Sequence, residues 1–331
     1  MRAETESKQL GRIVLEVQGL KTYFYLRRGV IKAVDGVSLY LRQGEVLGLV
    51  GESGSGKTIT SLSLLRLLPR PAGRIVAGTI LLDGEDLLAK SEKEMSKIRG
   101  QKIGVILQDP MCSLNPVFTI GDQITEPLKL HQKLKGDDLR KKAYRLLELM
   151  RIPSPEVIVR HFPHQLSGGM RQRVVGSIGL SCEPQLLIAD EPTTALDVTT
   201  QADFLRLLKE TQKRTNLSIL LITHDFGVVA EICDRVAVMY AGRIIESAPV
   251  VELFDHPKHP YTRALMASVP SLTKRVDTLY SIEGQPPNLL RLPRHCAFLP
   301  RCSGKGAVCD GEYPPEVIVG TDHTASCWHV N

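Results

Sequence analysis

Short apolar runs alternate with amphipathic stretches through the first 260 residues. Glu45–Val50 is a continuous apolar run that ends in a glycine, as do strands buried on both faces. Gln185–Asp190 and Leu217–Thr223 read the same way, and Ile13–Val17 and Lys102–Leu107 add two more strands. Between them, Thr58–Leu68 carries Leu62, Leu65 and Leu68 at helical spacing and stops at Pro69. Gly136–Arg151 has the pattern of a charged amphipathic helix. Arg235–Met239 and Gly242–Glu246 predict a hairpin turned at Tyr240–Ala241. Such alternation predicts a three-layer α/β core. After Pro260 proline, glycine and cysteine rise and the long periodic segments stop, so a boundary is expected there.

With 331 residues, 43% hydrophobic and 24% charged, the chain can bury a sizeable core. A net charge of +6 is mild for this length. The longest basic cluster, Arg140–Lys142, is read as a solvated helix face, so no nucleic-acid partner is expected. No apolar stretch approaches the ~18 residues of a membrane span. Met1–Leu10 is polar and is not read as a signal peptide. A cytoplasmic chain is expected, with any membrane role exercised through partners. Of seven cysteines, Cys112, Cys182 and Cys233 are scattered, whereas Cys296, Cys302, Cys309 and Cys327 crowd the C-terminus. In a reducing compartment such a cluster suggests a metal centre rather than disulfides.

The strand Glu45–Val50 runs into Gly51-x-x-x-x-Gly56-Lys57-Thr58, and a helix follows. That context is what a phosphate loop requires. Its glycines let successive N–H groups of Gly51, Ser53, Gly54, Ser55, Gly56 and Ile59 turn toward phosphate oxygens, and the helix aims its positive end at the same anion. Lys57 offers a charge to the outer phosphates and Thr58 a hydroxyl to Mg²⁺. Asp190 and Glu191 close another apolar strand. Asp190 is placed to hold Mg²⁺, and Glu191 to orient and deprotonate an attacking water.

Leu166–Arg173 (Leu-Ser-Gly-Gly-Met-Arg-Gln-Arg) resembles the signature motif of ABC ATPases, and the resemblance covers about residues 12–260. It implies a RecA-like phosphate-loop core with an N-terminal antiparallel β subdomain and an α-helical subdomain at about 110–170. Gln108 resembles the Q-loop glutamine, which contacts Mg²⁺ and the lytic water. Asp197 resembles the D-loop aspartate and His224 the switch histidine. Phe24 stands where an aromatic stacks on adenine, with Tyr23 and Tyr25 as neighbouring alternatives. Ser167, Gly168 and Gly169 begin a helix, a second anion-binding N-terminus that in this family completes the site of an opposite subunit. Met170 stands where glutamine is commoner and is not assigned as a ligand.

The segments Gln108–Pro116, Ala189–Asp197 and Phe254–Thr262 resemble the ATPase subunits of bacterial dipeptide, oligopeptide and nickel importers. The resemblance implies peptide import at the cytoplasmic face of the membrane. Its implied partners are two transmembrane permeases, a second, paralogous ATPase and, indirectly, an extracellular binding protein. A nickel or other small-solute importer, an exporter and a soluble ABC ATPase remain the alternatives. In this branch a C-terminal extension, here 261–331, carries four cysteines that hold a [4Fe–4S] cluster. The intervening lengths of five, six and seventeen residues are wider than the close pairs of most zinc ribbons, but leave zinc open as the alternative. His256 and His259, beside prolines, are read as structural.

Overall fold

A computed structural model describes residues 11–268 and 281–330. The reading of Met1–Leu10, and the part of the C-terminal extension at 269–280, lie outside the described residues.

Strands β1 (Ile13–Leu26), β2 (Gly29–Arg42), β3 (Val46–Val50), β4 (Gly73–Leu82), β5 (Glu85–Asp86), β6 (Ile103–Ile106), β7 (Leu186–Asp190), β8 (Ser218–Thr223), β9 (Arg235–Tyr240), β10 (Arg243–Pro249), β11 (Val317–Gly320) and β12 (His323–Ala325) form two sheets among the described residues. One is antiparallel, ordered β2-β1-β4-β5. The other is ordered β11-β12-β10-β9-β3-β8-β7-β6 and is parallel from β9 to β6.

The apolar runs are continuous because both faces of the parallel sheet are covered. Val46 and Val50 of β3, Leu187 and Ala189 of β7, and Ile219 and Leu221 of β8 enter one core with the helices. Their neighbours Leu47, Leu49, Leu186, Ile188, Leu220 and Ile222 enter another, shared with the antiparallel sheet. Strand alternation thus builds three layers from sequences that show no alternation of polarity.

The expected helix after the phosphate loop is Lys57–Leu64, shorter than Thr58–Leu68. Arg66 turns left-handed (φ +54°) and the Leu67 N–H returns to Leu62 O at 2.9 Å, closing the helix before Pro69 is reached. The charged helix is Gly136–Leu149, ended the same way by Arg151 (φ +52°) and the Ile152 N–H on Leu147 O at 2.9 Å. In the β9–β10 hairpin Tyr240 pairs with Arg243, so the turn is Ala241–Gly242, one residue later than expected. Both have positive φ, which matches the strand twist. Short helices Pro110–Ser113, Ile120–Pro127 and Pro155–Ile158 accompany Gly136–Leu149 between β6 and the helix Gly168–Gly179.

Beyond residue 260 the chain returns to the core sheet, where β12 pairs with β10. Buried Glu246 fastens this return. It accepts the backbone N–H of Lys258 (2.6 Å) and His259 (2.9 Å) and pairs with buried His323 at 2.9 Å.

Candidate functional site

The phosphate loop leaves β3 at the carboxyl end of the parallel sheet, where open α/β sheets bind ligands. Gly56 is held at φ +111°, and a Cβ there would lie 2.3 Å from Ala33 O. A Cβ on Gly51 would lie 2.2 Å from Met239 O. The loop is pressed against both sheets, and only glycine permits that approach. It borders a cavity of about 950 Å³.

Gly51, Ser53, Gly54, Gly56, Lys57, Thr58 and Ile59 line this cavity. Ser55 is buried and does not line it, and its Oγ has no hydrogen-bond partner among the described residues. Lys57 Nζ donates to Gly51 O (2.7 Å) and Glu52 O (3.0 Å), folded over its own loop. Burial lowers the pKa of this ammonium, so it gains from any anion that enters.

Thr58 Oγ1 lies 3.4 Å from Asp190 Oδ1. Burial raises the Asp190 carboxyl pKa. A buried carboxylate with a hydroxyl beside it suits a divalent cation, which would supply the missing positive charge.

Glu191 follows directly in a left-handed conformation (φ +44°), its N–H fixed on Ile222 O of β8 at 2.8 Å. That backbone turn aims the carboxylate into the cavity. Gln108 Nε2 donates to Glu191 Oε2 at 2.8 Å, Thr194 Oγ1 donates to the same oxygen at 3.1 Å, and His224 Nδ1 lies 3.1 Å from Oε1. Gln108, Glu191 and His224, from three strand ends, therefore form one hydrogen-bonded group, and all three line the cavity.

Phe24 lines the opposite side with Ile31, its cross-strand partner, and Ala33 two residues further along the same face. Its neighbours are engaged elsewhere. Tyr23 donates to Asp35 at 2.6 Å and Tyr25 lies under the Arg74 guanidinium.

The signature residues do not border this cavity. Ser167 caps the helix Gly168–Gly179 by accepting the Met170 N–H at 3.3 Å, and Gly169 lies against Thr200. Asp197 caps Val198–Thr215, accepting from Thr200 N (3.0 Å) and Thr200 Oγ1 (2.7 Å). These hydrogen bonds lower its pKa.

Two sequence families match the chain. Residues 34–194 match the family described as ABC transporter, and residues 245–309 match the one described as Oligopeptide/dipeptide transporter, C-terminal region. Over 315 residues, 95% of this chain and 94% of the relative, the sequence is 48% identical to the dipeptide transport ATP-binding protein DppD of Bacillus subtilis (strain 168). The chain belongs to the ABC transporter ATPases.

This ATPase is also 49% identical to the oligopeptide transport ATP-binding protein OppD of the same organism, over 95% of this chain and 88% of that one. Among solved structures it is similar to a dimeric ATP-binding cassette in a post-hydrolysis state bound to ADP and Pi. The TM-score is 0.65 and the identity 26%, covering 71% of this chain and 98% of that one. A cassette from Clostridium perfringens, part of an ABC transporter complex, matches with TM-score 0.64 and 29% identity, covering 74% and 92%.

The metal centre expected at the C-terminus is corrected by the structure. Among the described residues no three His, Cys, Asp or Glu side chains gather to hold a metal ion. Cys296, Cys302, Cys309 and Cys327 form no disulfide, and among the described residues neither the [4Fe–4S] cluster nor zinc finds its ligand set assembled. Burial raises the Cys296 thiol to about 11 and also raises Cys302 and Cys327. Cys309 faces His329 Nε2 at 3.4 Å, and Cys327 accepts the His329 N–H.

Sequence reasoning missed the cavity wall supplied by Leu265, Ser268, Ser281, Ile282 and Leu289 of the ATPase. These residues lie beyond the recognised core motifs, and no periodicity marks them. His259, read as structural, is so: its buried Nδ1 accepts the Tyr261 N–H at 3.0 Å.

Proposed function

We propose that this ATPase binds and hydrolyses Mg-ATP in the cavity at the phosphate loop and thereby powers the import of dipeptides or oligopeptides. The adenine stacks on Phe24 and the polyphosphate lies in the loop. Lys57 swings from the Gly51 and Glu52 carbonyls to the outer phosphates. Thr58, Asp190 and Gln108 would hold Mg²⁺, which when bound would neutralise charge developing on the phosphate oxygens. Glu191 accepts a proton from the attacking water, and Gln108 and His224 fix its carboxylate until the γ-phosphate competes for them.

Ser167, Gly168, Gly169 and Asp197 do not line this chain's own cavity, which supports their acting on the site of an opposing ATPase. We take that partner to be a second, paralogous ATPase chain. Among the described residues no helix is long and apolar enough to cross a membrane. In this reading two permease subunits provide the pore, an extracellular binding protein delivers cargo, and the ATPase docks on the cytoplasmic face. The domain division that goes with it is an ATPase unit at 12–260, a helical subdomain at about 110–170 and a cysteine-rich extension at 261–331.

The observation that carries the choice of cargo is the match of residues 245–309 to the peptide-transporter C-terminal region. The test is uptake of radiolabelled di- and oligopeptides by cells lacking this chain. Uptake should vanish and return with the wild-type chain but not with Glu191→Gln. Unchanged peptide uptake, or loss of nickel uptake alone, contradicts the proposal.

A further inference from the structure

Glu52, the second residue of the phosphate loop, is gripped by a residue 249 positions away. Arg301 Nη1 donates to Oε2 at 2.7 Å and Nη2 to Oε1 at 2.9 Å, a bidentate pair whose arginine side chain is only 5% exposed. The backbone of Glu52 is engaged as well. Its N–H donates to Tyr261 Oη at 2.9 Å, and its carbonyl accepts from Lys57 Nζ (3.0 Å) and Ser55 N–H (3.2 Å). The remaining donors of Arg301 reach Glu283 O (3.0 Å), Ile282 O (3.3 Å) and Tyr240 Oη (3.3 Å). Ile282 is itself a cavity wall.

A carboxylate in a loop that cradles a polyphosphate is an electrostatic liability, because it repels the ligand the loop is shaped to hold. Here the guanidinium meets this cost: its planar fork pairs bidentately with Glu52, which lines the cavity, and neutralises it. The same guanidinium fastens the 282–283 backbone beside the cavity, so loop and wall share one anchor.

We propose that Arg301 is a positioning residue for ATP: by pairing with Glu52 it removes a repulsive charge from the phosphate loop and holds that loop against the C-terminal stretch. The inference rests on the reading of the cavity as an ATP site. It assigns to the C-terminal stretch a direct part in nucleotide affinity.

The test uses the full-length chain, with Mg-ATP affinity read by calorimetric titration and kcat and KM by phosphate release. Wild-type binding is measured first; a wild-type chain that binds no ATP overturns the ATP reading itself. Given wild-type binding, Arg301→Ala should weaken ATP affinity and raise KM about tenfold, the worth of a charge-assisted pair, with kcat changed less than about threefold. Glu52→Gln in the same chain should recover most of that loss, since the unpaired carboxylate is gone. Arg301→Lys should fall between the two. If Arg301→Ala does not fold by circular dichroism, Arg301→Gln, which keeps length and polarity without charge, is read against the same expectations. Wild-type affinity in the neutral variant, or a double variant as weak as the single, overturns the proposal.

Discussion

Gln108 donates its side-chain amide to Glu191 Oε2 at 2.8 Å, across the gap between the ends of β6 and β7. With His224 on the other oxygen, the carboxylate is held at both ends before any nucleotide enters. The residues meet because parallel strands deliver their carboxyl ends to one edge of the sheet. Gln108→Ala should therefore loosen Glu191 without removing it. Steady-state assays should give kcat lower by roughly tenfold to a hundredfold, with ATP affinity within about threefold. A purely KM effect would show that Gln108 binds substrate and does not steer the base.

Asp190 exposes a tension between stability and function. Its folded pKa is raised by burial above the ordinary 3.8. For a raised pKa the stabilising contribution is complete below the unfolded value and is lost as pH rises through the folded one. At neutral pH the ionised carboxylate therefore costs the metal-free protein stability. Asp190→Asn should raise the melting temperature of the nucleotide-free chain by a few degrees, while reducing Mg²⁺-dependent turnover by about 10² or more. A variant less stable than wild type in the absence of Mg²⁺ contradicts this account.

The parallel core was legible because its strands are buried on both faces and so are continuously apolar. The phosphate loop and Asp190–Glu191 were legible because their residue types sit at fixed distances from those strands. The antiparallel strands β2 and β4 were not read, since Gly29–Arg42 mixes charge with apolar residues and Gly73–Leu82 is exposed along much of its length. Helix ends were misplaced where Arg66 and Arg151 adopt the left-handed conformation that glycine would have signalled. The cysteines misled because sequence spacing does not report whether thiols converge. Arg301 gave no local signal, because its partner is set by the tertiary return of the chain.

His259 makes that return sensitive to acid. Burial pushes its pKa down to about 3 from the ordinary 6.5. With a depressed value, the neutral ring's contribution is complete above pH 6.5 and is lost as pH falls toward 3. Thermal melts from pH 7 to 4 should show a loss on the order of 3 kcal/mol from this residue. His259→Asn keeps an acceptor for the Tyr261 N–H but does not titrate there, so its melting temperature should fall less over that range. Parallel slopes for the two proteins would assign the acid sensitivity elsewhere.

The proposed hydrolysis turns on Glu191 as the base that activates water in an ATP-filled cavity. The most direct test compares Glu191→Gln with wild type for Mg-ATP affinity and steady-state turnover. Affinity should stay within about threefold, because glutamine preserves the side-chain shape beside Gln108 and His224. Turnover should fall by roughly 10²–10⁴, the usual contribution of a general base. Near-normal turnover with intact binding would contradict it.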